Sequence, residues 1–260
     1  MKVALLFCLM SLCAAGMGGC AEGEQEAEVP RVHVAVASSL APTFAKLEET
    51  FTRHSGIVLM TSVGSTGKFA VQIRQGAPFD VFLSADTEHP ALLVEEGHAV
   101  PGSRYPFAAG RLMLWSRDPE RVVDASSLLP PPGGDRGATL AIANPEFAPY
   151  GIAARQFLES QGQWEDYLGL RVMGENVGQA YRFARSGHAA MALVSQAQVE
   201  ADPDAGGSRW LVPRTWHTPL VMEAVLLVDT KETRAFLEFL GSEVARQLLS
   251  ADGYELPDLP

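Results

Sequence analysis

In the segment RVHVAVA (31–37), Val32, Val34 and Val36 alternate with other residues, the two-residue period of a strand with one buried face. The period then changes. Leu40, Phe44, Leu47 and Phe51 form one helical stripe, and Pro42 falls in its first turn, where a missing N–H costs nothing. IVLMTSV (57–63) returns to strand character, Phe69 and Ile73 lie four apart on a second helix, DVFLSAD (80–86) is a third strand, and a helix runs through 91–97. This β-α-β-α-β order predicts an α/β fold, with a sheet covered by helices. A second series follows: strands at 111–116, 139–143, 171–174 and 191–194, with helices at 151–161 and 177–186 between them. Strands at 210–213 and 222–229 and two helices, near 231–240 and 242–250, complete the chain. PPPGGDRG (130–137) reads as a loop, and no internal repeat is visible.

The N-terminus departs from this pattern. Lys2 precedes an apolar run over 3–17, which is too short for a membrane span of about 20 residues and ends in Gly18-Gly19-Cys20. Residues 1–19 therefore read as a signal peptide, and the small residues before a Cys resemble a bacterial lipoprotein signal, in which Cys20 becomes the lipidated first residue. Residues 20–30, acidic and nearly devoid of large apolar side chains, read as a flexible tether. Cys8 and Cys13 lie in the leader, so the body holds no disulfide and no thiolate metal site. The net charge of -11 argues against a nucleic-acid partner, whose phosphates demand clustered Lys and Arg. An anion, if bound, is bound locally.

GSTGK (64–68) invites a nucleotide-binding reading but lacks the P-loop pattern, with Ser62 and Phe69 where Gly and Ser or Thr are required. Nor is Ser65 in a nucleophile elbow, because Val63 stands where Gly is needed. The histidines (33, 54, 89, 98, 188 and 217) show no metal-ligand spacing. A local pattern does recur: a strand ends, small or hydroxyl residues follow, and a helix begins. It occurs at Ala37-Ser38-Ser39-Leu40, Gly64-Ser65-Thr66-Gly67, Ala148-Pro149-Tyr150-Gly151 and Glu175-Asn176-Val177-Gly178. Each helix start presents free N–H donors and partial positive charge, so several aimed at one cleft make an anion site without cations. Taken singly, Ser or Thr at such a place is ordinarily just an N-cap, and Lys68, in the first turn, is ordinarily solvated.

The segments VAVASSLAPTF (34–44), VGSTGKFAVQI (63–73), GAPFDVFLSAD (76–86), ANPEFAPYGIAA (143–154) and GENVGQAYRF (174–183) together resemble the molybdate-binding proteins of bacterial ABC transporters, from about Val32 to Pro257. The resemblance implies a two-lobed periplasmic-binding-protein-like fold of class II, each lobe a mixed sheet flanked by helices, with the ligand cleft between them. Lobe I would comprise 31–108 and 219–260 and lobe II 109–218, with crossings near 107–110 and 217–220. Carried over position by position, the oxyanion contacts fall at Ser39 beside Ser38, Thr66 beside Ser65, and the backbone N–H groups of Tyr150 and Val177. These contacts are to the oxyanion's oxygens, not to its metal atom. A Tyr hydroxyl that completes the site in some members would fall at Leu193, leaving the Tyr150 phenol as a candidate replacement. The implied protein is a monomeric, lipid-anchored receptor on the periplasmic or outer side of the membrane, with no cofactor and no enzymatic activity. It would capture molybdate or tungstate for a membrane permease and its ATPase. A sulfate receptor, an oxyanion sensor of the same fold, and a hydrolase using Ser39 or Ser65 are the rivals.

Overall fold

The computed structural model of the chain describes residues 29–128 and 139–256. The expected leader, Cys20, most of the tether and the 130–137 loop lie outside the described residues. The first sheet contains β1 (Arg31–Ala37), β2 (Val58–Gly64), β3 (Val81–Ser84), β4 (Tyr105–Gly110) and, after a long excursion, β10 (Leu220–Leu226), in the order β2-β1-β3-β10-β4. The excursion builds the second sheet from β5 (Leu112–Ser116), β6 (Leu140–Ala143), β7 (Arg171–Gly174), β8 (Met191–Ser195) and β9 (Ser208–Leu211), in the order β7-β6-β8-β5-β9. The two sheets follow the same plan. A central strand has parallel neighbours on both sides (β2-β1-β3 and β7-β6-β8), and antiparallel strands complete the far edge.

Helices α1 (Ala41–Ser55), α2 (Thr66–Arg74) and α3 (Glu88–Glu95) follow the first three strands, and α4 (Pro149–Ser160), α5 (Val177–Arg185) and α6 (Gln196–Glu200) follow β6, β7 and β8. Helices α7 (Lys231–Leu240) and α8 (Glu243–Ala251) return to the first lobe. The stripe read from the sequence is the buried face of α1: Phe44, Leu47 and Phe51 are covered, and Phe44 and Phe51 meet Phe236 of α7 edge-on. Each such side chain contributes about 1.5–3 kcal/mol through burial. In β5 every residue is buried, the composition expected of a strand with both faces covered.

Strand β4 was not legible in the sequence. Its Pro106, Ala108, Ala109 and Gly110 carry neither β-branched bulk nor alternation, and Pro is tolerated because β4 is an edge strand, held by β10 across an irregular register at Met222/Glu223. It keeps residues 109 and 110 in the first sheet, two beyond the expected division after 108. The chain passes between the sheets at Arg111 and returns over 212–219.

These two passages lie together. Arg111 from the first and Arg214 from the second both pair with Glu255, and His217 sits beside them, 9% exposed. Its Nδ1 donates to the Thr218 carbonyl at 2.8 Å, and its Nε2 is buried without a partner. Burial, followed by the Arg111 and Arg214 charges, holds the imidazole below its ordinary pKa despite the favourable carbonyl. The unfolded chain therefore takes up the proton first, so this contribution to stability is present above about pH 6.5 and is lost as pH falls through the folded-state value. We predict that the unfolding temperature falls between pH 7.5 and 5, and that His217→Gln flattens this fall. An unchanged slope in the variant would remove His217 from the account.

Candidate functional site

In both sheets the chain reverses its winding direction around the central strand, and the crevice at the carboxyl ends of such strands is where α/β folds bind ligands. The two lobes turn these ends toward each other. The loops after β1 and β2 come from one lobe and those after β6 and β7 from the other, so the four helix starts read from the sequence converge. Ser38, Ser39, Ser65, Thr66, Tyr150 and Val177 all line one small cavity, and no charged side chain borders it.

The ordinary capping explanation fails at three of the four starts. The N-cap residues Leu40, Ser65 and Ala148 of α1, α2 and α4 make no side-chain capping bond; only Asn176 does, accepting from Gln179 N at 3.0 Å. Among the described residues, the backbone N–H groups of Ser39, Thr66, Tyr150 and Val177 have no acceptor. These residues are 1%, 1%, 1% and 3% exposed. A helix start in water leaves its N–H groups to solvent, but a buried N–H without an acceptor is costly. Four such donors around one cavity define a place for an acceptor that carries several oxygens.

The hydroxyls divide into two groups. Thr66 Oγ1 accepts from Ala85 N at 3.1 Å, which leaves its proton free to donate into the cavity. Ser39 Oγ–H has only the weak Met222 Sδ acceptor, at 3.9 Å. By contrast, Ser65 Oγ donates to the Phe147 carbonyl of the opposite lobe. Ser38 Oγ accepts from Gly178 N at 3.4 Å, and its carbonyl accepts from Gln198 Nε2 at 3.0 Å. Ser38 and Ser65 thus join the lobes, while Ser39 and Thr66 offer hydroxyl protons to the cavity. Phe147 and Gln198 could not be found from the sequence, because one acts through its carbonyl and the other from a helix not read there.

Leu193 lies in the body of β8, opposite Leu114 and fully buried, and is not among the residues that line the cavity. The hydroxyl at that end of β8 belongs to Ser195, which accepts from the Tyr150 phenol at 3.0 Å. Burial raises the Tyr150 pKa, keeping the phenol protonated. Lys68, expected to be solvated, is half-exposed and bridges the cleft to Glu175 at 3.1 Å, with its ammonium 5.9 Å from the Phe147 ring centre. Gly67 donates its N–H to the Phe147 carbonyl at 2.8 Å.

Two lobes joined by two passages and closed over a buried, uncharged donor cluster describe a receptor for a small solute. The profile of the bacterial extracellular solute-binding protein family matches residues 32–255, and the chain belongs to that family. It is 39% identical over 226 residues to the molybdate-binding protein ModA of Rhodobacter capsulatus, covering 86% of this chain and 87% of the relative. With the ModA of Azotobacter vinelandii it shares 37% identity over 246 residues, 93% and 94% of the two chains. The solved structure of the periplasmic molybdate-binding protein of Azotobacter vinelandii superposes with a TM-score of 0.78 at 32% identity, covering 87% of this chain and all of that one.

A Cβ added at Gly67 would lie 2.8 Å from the Phe147 carbonyl oxygen, and backbone on both sides leaves little room to give. Gly67→Ala is therefore expected to fold but to hold the lobes apart. Under conditions in which the unsubstituted protein is closed, small-angle scattering should give the variant a larger radius of gyration; equal radii would show that this contact does not govern closure.

Proposed function

We propose that this protein captures molybdate, and tungstate with it, outside the cytoplasmic membrane and delivers it to a membrane permease driven by an ATPase. The observation that carries the reading is the set of four buried N–H groups without acceptors, joined by the Ser39 and Thr66 hydroxyls in a cavity with no charged lining. Molybdate and tungstate are fully ionised tetrahedral dianions at neutral pH and accept hydrogen bonds at every oxygen. A protonated oxyanion such as hydrogen phosphate would also need an acceptor. The relatives named above as molybdate-binding proteins support this ligand over sulfate, which has the same charge and shape but is smaller. Hydrogen bonds to a charged group contribute roughly 1.5–3 kcal/mol each, so six give on the order of 10–20 kcal/mol before association and desolvation costs are subtracted.

The serine partners favour binding over catalysis: Ser39 faces a thioether and Ser65 a carbonyl, whereas a nucleophilic serine needs a base. Attachment to the membrane is part of the proposal and rests on Cys20 after its apolar leader. Among the described residues, no helix is long and apolar enough to cross a membrane.

Millimolar molybdate or tungstate should raise the unfolding temperature of the purified body by about 10–20 °C, the shift given by a dissociation constant near 100 nM. Sulfate should raise it little. Ser39→Ala and Thr66→Ala should each weaken molybdate binding at least tenfold in calorimetry while the ligand-free protein still unfolds cooperatively. Unchanged affinity in both would refute the site. Cys20→Ser should move the protein expressed in bacteria from the membrane to the soluble fraction; equal partitioning would refute the lipid anchor.

A further inference from the structure

The Ser39 N–H shares a peptide unit with the Ser38 carbonyl, and in a planar trans peptide the two point in opposite directions. Whatever holds the carbonyl therefore aims the donor. The Ser38 oxygen accepts from two groups: Ala41 N of its own turn at 3.3 Å, and Gln198 Nε2 of α6, in the other lobe, at 3.0 Å. The corresponding carbonyls elsewhere in the site are held locally. Those of Ser65 and Asn176, which share peptides with the Thr66 and Val177 N–H groups, accept from amides of their own helices, Phe69 N at 3.0 Å and Ala180 N at 3.1 Å.

Gln198 is 5% exposed, and its amide reaches Ser38 beside Gly178, where an added Cβ would lie 3.4 Å from Nε2 and 3.5 Å from the Ser38 Cβ. The oxygen end of the same amide is buried without a hydrogen-bond partner. A buried acceptor left unpaired costs stability, yet turning the amide over would set its oxygen against the Ser38 oxygen, so only the nitrogen can face Ser38. Gln198 is not among the residues that line the anion cavity. Its influence on the cavity passes through the Ser38–Ser39 peptide.

A hydrogen bond accepted by a carbonyl polarises the peptide and strengthens its N–H as a donor. This bond crosses the cleft, so it forms when the lobes close and breaks when they part. We propose that Gln198 is a positioning residue for the bound oxyanion: on closure its amide takes the Ser38 carbonyl, and thereby orients and polarises the Ser39 N–H toward the ligand from the opposite lobe. The ligand class rests on the molybdate reading above. Because the bond follows closure, it slows escape of the anion and leaves capture unchanged.

The test is the rates of molybdate association and dissociation, measured by stopped flow for the unsubstituted protein, Gln198→Leu and Gln198→Glu. Leu removes the donor at similar size, so dissociation should quicken about tenfold, with the association rate and the ligand-free unfolding temperature unchanged. Glu can donate only when its carboxyl is protonated, so at about pH 5.5 Gln198→Glu should dissociate as slowly as the unsubstituted protein does at that pH, while Gln198→Leu remains fast. A merely structural role would lower the ligand-free unfolding temperature and would not distinguish Glu from Leu. An unchanged dissociation rate in Gln198→Leu, or a Gln198→Glu variant still as fast as Gln198→Leu at the lower pH, would overturn the proposal. Should Gln198→Leu not fold, Gln198→Glu decides alone: dissociation still faster than in the unsubstituted protein at about pH 5.5 refutes the role. Absence of molybdate binding in the unsubstituted protein would refute the functional reading itself, a result distinct from binding that is indifferent to Gln198.

Discussion

Everything in this molecule is arranged around four backbone N–H groups that the fold buries and does not satisfy. Proteins pair almost all of their buried amides. Here the amides of Ser39, Thr66, Tyr150 and Val177 lack acceptors because they sit at helix starts, where the fold offers no preceding carbonyl. Satisfying them with a protein side chain would destroy the site. The residues that could have capped them are accordingly absent or directed elsewhere: Leu40 and Ala148 have no suitable side chain, and the Ser65 hydroxyl is committed to Phe147. The positive ends of four helices and two hydroxyls supply attraction for a dianion without a cation that would bind anions indiscriminately.

That constraint explains the two-lobed plan. Donors on one sheet reach an anion from one side only, and water can take the remaining oxygens. Two sheets of the same plan, facing each other at their carboxyl ends, surround the anion and exclude water, which strengthens each hydrogen bond. The contacts that hold the lobes together mostly use backbone groups: the Phe147 carbonyl receives Ser65 and Gly67, and the Ser38 carbonyl receives Gln198. At the opposite end, Arg111, Arg214 and Glu255 tie the two passages together, so the cavity lies between a closing face and a hinge.

The sequence was informative where local physics decides structure. Alternating valines in 31–37, the Leu40–Phe51 stripe and four strand-to-helix junctions with small or hydroxyl residues were legible because burial periodicity and helix initiation are local properties. The same junctions indicated an anion site before any geometry was known. Strand β4 escaped, since an edge strand made of Pro, Ala and Gly has no pattern of its own and exists only because β10 pairs with it.

Tertiary structure alone decided how the candidate residues divide their work. Adjacent serines look alike in sequence, yet the Ser38 hydroxyl accepts from Gly178 of the other lobe while the Ser39 hydroxyl has only the Met222 sulfur. Leu193 seemed to mark a missing hydroxyl, and the strand instead presents Ser195, two residues on, to the Tyr150 phenol. Tyr254 carried no local signal, because its hydroxyl meets its partner, the Ser39 carbonyl, across 215 residues of sequence. Helix starts and buried faces are properties of neighbours along the chain, whereas donor direction, lobe contact and cavity size are properties of residues that meet only after folding.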